Sequence, residues 1–153
     1  MSNEHTVKSY EEELRHLIDS VIKMGSLTES QMVDSMDAII KVDKDSIDKI
    51  IKSDEEINKF RSKIDTQIMT LLVKRAPMAI DLRETISSLK ISQDLERIGD
   101  LSKSNAKKVK PLPLDLPEEL LGNLKRLGDL VLKQLNDVLD LSLIHISEPT
   151  RPY

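Results

Sequence analysis

Cysteine and tryptophan are both absent from this chain, and aromatic residues make up only 2% of its 153 residues. Without cysteine the chain can form no disulfide, no thiol nucleophile and no thiolate metal site. Without aromatic side chains it cannot offer the stacking surfaces that proteins use to bind single-stranded nucleic acid. Its 4 glycines are scattered, so no phosphate-binding loop motif is formed. These absences favour a helical protein whose core is packed by leucine, isoleucine and methionine.

Charge and hydropathy exclude further classes of protein. Lys and Arg number 23 against 27 Asp and Glu, which gives a formal net charge of −4. This mild acidity argues against a nucleic-acid-binding domain, which usually carries a strongly basic face. No apolar run approaches the roughly 18 residues of a membrane-spanning helix, and the N-terminal residues lack the apolar core of a signal peptide. We therefore expect a cytoplasmic protein that neither inserts into a membrane nor binds nucleic acid.

Four segments have apolar residues that recur three and four positions apart, which is the period of amphipathic helices in a bundle. They predict helices over residues 7–42, 46–74, 78–110 and 118–141. Pro77 is expected to end the second helix, because proline cannot continue the helical hydrogen-bond ladder. Half of the 6 prolines lie between the third and fourth helices and predict a stiff linker over 111–117. The predicted fold class is all-α.

The fourth segment resembles the first at an offset of 103 residues, which places Gly25 on Gly128 and Gln31 on Gln134. The same offset matches two aspartates and a series of apolar positions. Such self-similarity indicates a repeated structural unit. We therefore predict an antiparallel three-helix bundle over residues 7–110, followed by residues 118–140 as the first helix of a second bundle that is incomplete.

The last residues have an unusual sequence. Residues 141–151 are similar to one reading frame of a transposon-derived sequencing adapter, and the similarity is uninterrupted. We expect residues 141–153 to be a non-native tail that ends a truncated chain, and His145 is accordingly left out of functional argument.

Acidic side chains interrupt the apolar seams of two helices. In the second helix, positions at steps of three and four are apolar except for Asp54 and Arg61, and Asn58 lies one turn after Asp54. In the third helix, the frame 82, 86, 89, 93, 96, 100 begins apolar and ends at Glu96 and Asp100. Residues four apart lie on the same helix face. The two carboxylates would repel each other unless a positive group lay between them.

An arginine, a proton or a hard cation could neutralise these acids. Carboxylates with amide help are ligands of Mg²⁺, Mn²⁺ or iron, so Asp54, Asn58, Glu96 and Asp100 are candidate metal ligands. The alternative is a metal-free scaffold whose acids are solvated or salt-bridged. No nucleophile and base arrangement is visible, so no catalytic residues are predicted and an enzyme is not expected. The basic residues from Lys103 onward suit the negative end of a helix dipole.

Two motifs carry a resemblance to a known family. Residues 74–83 have the sequence KRAPMAIDLR, and residues 94–100 have the sequence DLERIGD; SDEEIN precedes them at residues 53–58. On these motifs the chain resembles the PhoU family, the accessory and regulatory proteins of bacterial phosphate transport. The resemblance covers about residues 9–140, and it implies two similar three-helix bundles in a full-length protein.

The resemblance also implies a function. PhoU proteins are non-enzymatic and cytoplasmic, usually act as homodimers, and repress the phosphate-starvation response. They are expected to connect the phosphate ABC transporter, through its ATPase, to a PhoR-type sensor histidine kinase. Members can bind metal through acid-x-x-x-Asp motifs, which here match Glu96 and Asp100, with Asp54 and Asn58 as the counterpart in the second helix. The family commonly has glutamate where this chain has Arg61, and a cation there would compete with a metal or replace it.

Overall fold

The computed structural model describes the backbone of residues 2–75 and 79–147, and the side chains of residues 9–73 and 82–141. Within these residues the chain forms four α-helices: α1 (Ser2–Lys41), α2 (Ile47–Arg75), α3 (Ala79–Lys107) and α4 (Glu118–Ser147). Helices α1, α2 and α3 pack against one another, and α4 packs against α1. The predicted all-α class is confirmed. Pro77 and residues 148–153 lie outside the described residues.

The apolar seam predicted for α2 is confirmed. Six isoleucine and leucine side chains of this frame are at most 3% exposed, namely Ile47, Ile50, Ile57, Ile64, Ile68 and Leu71. Asp54 interrupts the seam as predicted and is itself buried, at 2% exposed. Ile57, Ile64, Ile68 and Leu71 form the central core cluster together with Leu17, Val21 and Met24 of α1, whereas Ile47 and Ile50 belong to two smaller clusters. A buried aspartate at this position needs partners, because an isolated carboxylate is costly to remove from water.

The frame predicted for α3 was wrong. Its buried positions are Thr85, Ser88, Ser92, Leu95, Gly99, Ser102 and Ala106, whereas Leu82 of the predicted frame is 40% exposed. Small side chains therefore line the inner face of α3, and an apolar pattern does not register them. Their hydroxyl groups are satisfied locally, since Ser92 and Ser102 each donate to a backbone carbonyl of the preceding turn, at 2.8 Å. The predicted acids Glu96 and Asp100 lie at the edge of this face.

The connection between α1 and α2 is short and hydrogen-bonded. Val42 has a φ of 50°, and the amide of Asp43 donates to the Ala38 carbonyl at 2.8 Å, which together close α1 in a Schellman-type turn. Asp43 Oδ1 then accepts hydrogen bonds from the amides of Asp45 and Ser46, at 3.0 and 3.3 Å. The Ser46 hydroxyl donates to Asp43 Oδ2, and this bond, followed by the amide bonds, lowers the pKa of Asp43. The turn directs α2 back along α1.

The third helix ends at Lys107, three residues before the predicted end. Residues 108–110 instead make tighter bonds to carbonyls three residues earlier. Proline at position 111 accounts for the difference, because it disfavours helical geometry in the residue before it.

The packing of α4 on α1 follows the sequence repeat. A β-carbon built on Gly25 would lie 2.8 Å from Leu139 Cδ2, and a β-carbon built on Gly128 would overlap the end of Met36. The offset of 103 residues relates Gly25 to Gly128 and also Met36 to Leu139. The contact of Gly25 in α1 with Leu139 in α4 therefore corresponds to the contact of Gly128 in α4 with Met36 in α1. Such an exchange of roles is expected for two helices related by an approximate two-fold axis. Helix α4 thus folds back on the first bundle.

Candidate functional site

A buried polar cluster surrounds Asp54 in the middle of α2. Asp54 Oδ1 accepts a hydrogen bond from Gln31 Nε2 of α1 at 3.1 Å. Asp54 Oδ2 accepts one from Asn58 Nδ2, one turn further along α2, at 3.3 Å. Gln31 is fully buried. Two neutral amides therefore satisfy part of the carboxylate, but they bring no positive charge to it.

The positive charge comes from Lys103 of α3. Its Nζ lies 2.5 Å from Asp54 Oδ2 and 2.8 Å from Asp100 Oδ1. The side chain of Lys103 is 23% exposed, whereas that of Asp54 is 3% exposed. Hydrogen bonds to Asp100 and then to Asp54 raise the pKa of the Lys103 ammonium above its usual value. One ammonium thus bridges a buried carboxylate of α2 and an exposed carboxylate of α3.

Gly99 allows the three helices to meet at this cluster. Gln31 Nε2 donates to the Gly99 carbonyl at 2.8 Å, in addition to its bond to Asp54. A β-carbon at position 99 would lie 3.1 Å from Ile57 Cδ1 and 3.6 Å from Asp54 Oδ1. A β-carbon there would require Ile57 to shift by a few tenths of an ångström, and a longer side chain would have no room beside Asp54 and Gln31. The glycine of the DLERIGD motif is therefore explained by close packing of the helices beside Asp54.

A second group of charges lies further along α2. The Arg61 guanidinium is ion-paired to Asp65 on its own helix, and its Nε lies 3.3 Å from Glu96 Oε2 of α3. The contact to Glu96 is an ion pair that lacks the alignment of a hydrogen bond, because Arg61 Nε is buried and has no hydrogen-bond partner. Arg61 is 13% exposed, so its charge lies largely inside the seam.

The structure divides the four predicted metal ligands between two cations. Lys103 bridges Asp54 and Asp100, and Asn58 joins this group through its hydrogen bond to Asp54, whereas Glu96 is paired with Arg61. Among the described residues, no group of three or more His, Asp or Glu side chains is placed to hold a metal ion. With these two cations in place the side chains do not fit a metal centre. The metal-ligand assignment itself stays a prediction.

Two members of the cluster were not recognised as site residues from the sequence. Gln31 falls in the inner frame of α1, where a polar residue among apolar neighbours was a usable signal. Lys103 was assigned to the dipole of its helix, but its ammonium is held by two aspartates. Its spacing of three residues from Asp100 places the two on one face, and this could have suggested the pair.

The surface next to the cluster is apolar. Helices α1, α3 and α4 enclose a groove of about 380 Å³ that is lined by Met32, Met36, Ile98, Leu101, Leu127 and Val131 with seven further residues. Within the described part of the chain, no helix combines the length and apolar character needed to span a bilayer.

Comparison with known proteins gives a consistent result. Residues 21–109 match the PhoU domain family. The chain is 41% identical over 138 residues to the phosphate-specific transport system accessory protein PhoU homolog of Caulobacter vibrioides, covering 90% of this chain and 60% of that protein. It is 37% identical over 142 residues to the protein of the same name from Rhizobium meliloti, covering 92% and 60%. The chain thus spans about three fifths of the length of these relatives.

A solved structure agrees with the sequence matches. The crystal structure of the phosphate transport system regulatory protein PhoU from Streptococcus pneumoniae superposes with a TM-score of 0.80 at 33% identity. The superposition covers 89% of this chain and 64% of that chain. The family match includes both Asp54 and the DLERIGD motif, around which the buried cluster is built. This chain belongs to the PhoU domain family.

Proposed function

We propose that this chain is part of a regulatory accessory protein of phosphate transport that acts by binding other proteins. The observation that carries the proposal is its similarity in sequence and fold to proteins named for that role. The polar groups of its interior support it, because the hydrogen bonds of Asp54 and Gln31 hold the helices together. A role in binding, with no catalysis, fits this arrangement.

The proposed partners are those implied by the sequence resemblance. In the cytoplasm, the protein would contact the ATPase of a phosphate ABC transporter and a PhoR-type sensor histidine kinase, and would hold down the phosphate-starvation response when phosphate is plentiful. A rigid helical bundle suits such an adaptor, because binding then costs little conformational entropy. The full-length protein is proposed to act as a homodimer, which light scattering over a dilution series would test.

Binding of the purified full chain tests the adaptor role directly. The cytoplasmic part of a PhoR-type kinase and the transporter ATPase are immobilised separately, and association is followed by interferometry. Saturable binding to at least one of them is expected, with none to the ATPase of an unrelated ABC transporter. A chain that is helical by circular dichroism yet binds neither partner would contradict the proposal.

A cellular measurement tests the direction of the effect. The chain is expressed in bacteria that lack their own PhoU-family protein and carry a reporter driven by a phosphate-starvation promoter. Lower reporter activity in phosphate-rich medium is the expected result. An increase, together with normal chain abundance, would argue against a repressing role.

The metal-free form of this adaptor is the one that the geometry favours. Each predicted acidic ligand already has a cationic partner from the chain, Lys103 for Asp54 and Asp100 and Arg61 for Glu96. A hard cation would have to displace those partners to reach the carboxylate oxygens.

A further inference from the structure

The seam between α2 and α3 contains a cation that belongs to the chain itself. Lys103 Nζ is held between Asp54 Oδ2 at 2.5 Å and Asp100 Oδ1 at 2.8 Å. The two oxygens come from different helices, so the ammonium joins α3 to α2. Divalent ions use the same kind of bridging position between carboxylates of neighbouring helices.

A positive partner stabilises the ionised form of Asp54. It is 2% exposed, and an ionised carboxylate in such a position is strongly destabilising unless it is paired and hydrogen-bonded. Its two other partners, Gln31 and Asn58, are neutral amides. Among the described residues that contact Asp54, Lys103 is the one that balances its charge.

Glu96, the remaining acid of the predicted ligand set, is ion-paired with Arg61. Glu96 Oε2 lies 3.3 Å from Arg61 Nε, and Arg61 is also paired with Asp65. Two carboxylates four residues apart in α3 are thus neutralised by two different cations, one from α2 and one from α3 itself. A metal ion bound here would face two positive side chains as well as its ligands, and like charges at this range repel strongly when they are shielded from water.

We propose that the Lys103 ammonium is the cation of this seam, held by Asp54 and Asp100, and that the bundle therefore needs no divalent metal ion at this position. The inference concerns the assembly of the bundle and stands independently of the signalling role proposed above.

Thermal unfolding of the full chain in EDTA and in millimolar MnCl₂ tests the proposal. The wild-type melting temperature is expected to be the same in both solutions, because no metal ion binds at this position. A metal site at a free Mn²⁺ concentration a hundred times its Kd would instead raise the melting temperature by roughly 5–10 °C. Lys103→Ala leaves Asp54 buried without a counter-charge, so its melting temperature in EDTA should fall by roughly 6–12 °C. Mn²⁺ should recover part of that loss, because the carboxylates of Asp54 and Asp100 are then open to it.

Two further variants separate charge balance from packing. Lys107→Ala removes an exposed lysine one turn further along α3, and it should leave the melting temperature unchanged in both solutions. The double variant Asp54→Asn with Lys103→Met removes the acid charge and its partner together. It should melt higher than Lys103→Ala and show no response to Mn²⁺, because no buried charge remains to be compensated.

Three results would overturn the proposal. The first is a wild-type melting temperature that rises in Mn²⁺, with stoichiometric binding by calorimetry. The second is a Lys103→Ala chain that is as stable as wild type. The third is a Lys103→Ala chain that is destabilised but whose melting temperature does not respond to Mn²⁺. Where Lys103→Ala does not fold on its own, the wild-type calorimetry and the double variant decide.

Discussion

Helices α1 and α4 are matched in sequence, but some of the matched apolar side chains lie in opposite surroundings. Leu17 and Met24 of α1 are fully buried, whereas their counterparts Leu120 and Leu127 of α4 are 45% and 60% exposed. The difference arises because α1 has α2 and α3 on its inner face, whereas α4 packs chiefly on α1. An amphipathic pattern therefore specifies which face of a helix seeks burial. The neighbouring helices decide whether that face is buried.

Truncating the matched apolar side chains should give the largest contrast. Met24→Ala should lower the free energy of unfolding by about 2–5 kcal/mol, because it leaves a cavity in the core. Leu127→Ala removes a side chain that is mostly in water and should cost within about 0.5 kcal/mol. Urea unfolding monitored by circular dichroism measures both. Equal losses would mean that the α4 face is covered in solution, and repeating the measurement at lower protein concentration would show whether a second copy covers it.

The matched glutamines should differ by less. Gln31 donates to Asp54 and to the Gly99 carbonyl from a buried position, and Gln31→Ala should cost about 1–3 kcal/mol because both acceptors lose a donor. Gln134 is exposed, and Gln134→Ala should change stability by within about 0.5 kcal/mol. Comparing the two urea midpoints tests this difference. If Gln134→Ala and Gln31→Ala lowered the free energy of unfolding by similar amounts, burial of the glutamine side chain would not explain its contribution to stability.

The glycines of α4 test the contact between the two matched helices. No heavy atom lies within 4 Å of a β-carbon built on Gly122, so Gly122→Ala should stabilise the chain by about 0.5–1 kcal/mol through its better helix propensity. Gly128→Ala should lose this gain, because its β-carbon meets Met36 of α1. Adding Met36→Ala to Gly128→Ala should reduce the interference. If Gly128→Ala stabilises as much as Gly122→Ala, the packing of α4 on α1 is looser than described.

Substitutions in the two connections between helices should differ in how they change stability at acid pH, and this is the smallest of the expected effects. Asp43 ties the α1–α2 turn, and its pKa lies below the ordinary value of 3.8, mainly because the Ser46 hydroxyl donates to it. A carboxylate whose pKa is lowered by folding stabilises the fold at a pH above its pKa in the unfolded chain. That stabilisation is lost as the pH falls through its pKa in the folded chain. Below about pH 4, the stability of Asp43→Asn should therefore depend less on pH than that of wild type. Asp115→Asn, in the α3–α4 linker, is the matched control.

The positions of the helices and the inner face of α2 could be predicted from the sequence. The frame from Ile47 to Leu71 is apolar and periodic, and burial follows it closely. The inner face of α3 could not be predicted in this way, because Ser88, Ser92 and Gly99 contribute little hydropathy. Small residues are buried there because they let α3 approach α1 and α2, which is a property of the assembled bundle.

The candidate site was predicted in part. Asp54 was identified as an interruption of an apolar seam, and it proved to be the centre of a buried cluster. Its partners Gln31 and Lys103 were not predicted, since they lie 23 and 49 residues away along the chain. Periodicity reports on neighbours within one helix and carries no information about which distant side chain will reach a given carboxylate.

The amino-acid sequence alone determined four helices, the family to which the chain is similar and the face that the apolar stripe of α2 would bury. These follow from local hydrogen bonding and from the removal of apolar surface from water, both of which depend on residue spacing. Tertiary structure alone decided that α4 would dock on α1 through Gly25 and Gly128 and that Lys103 would pair with Asp54. Close packing and charge pairing depend on distances between helices, and those distances exist only once the bundle has formed.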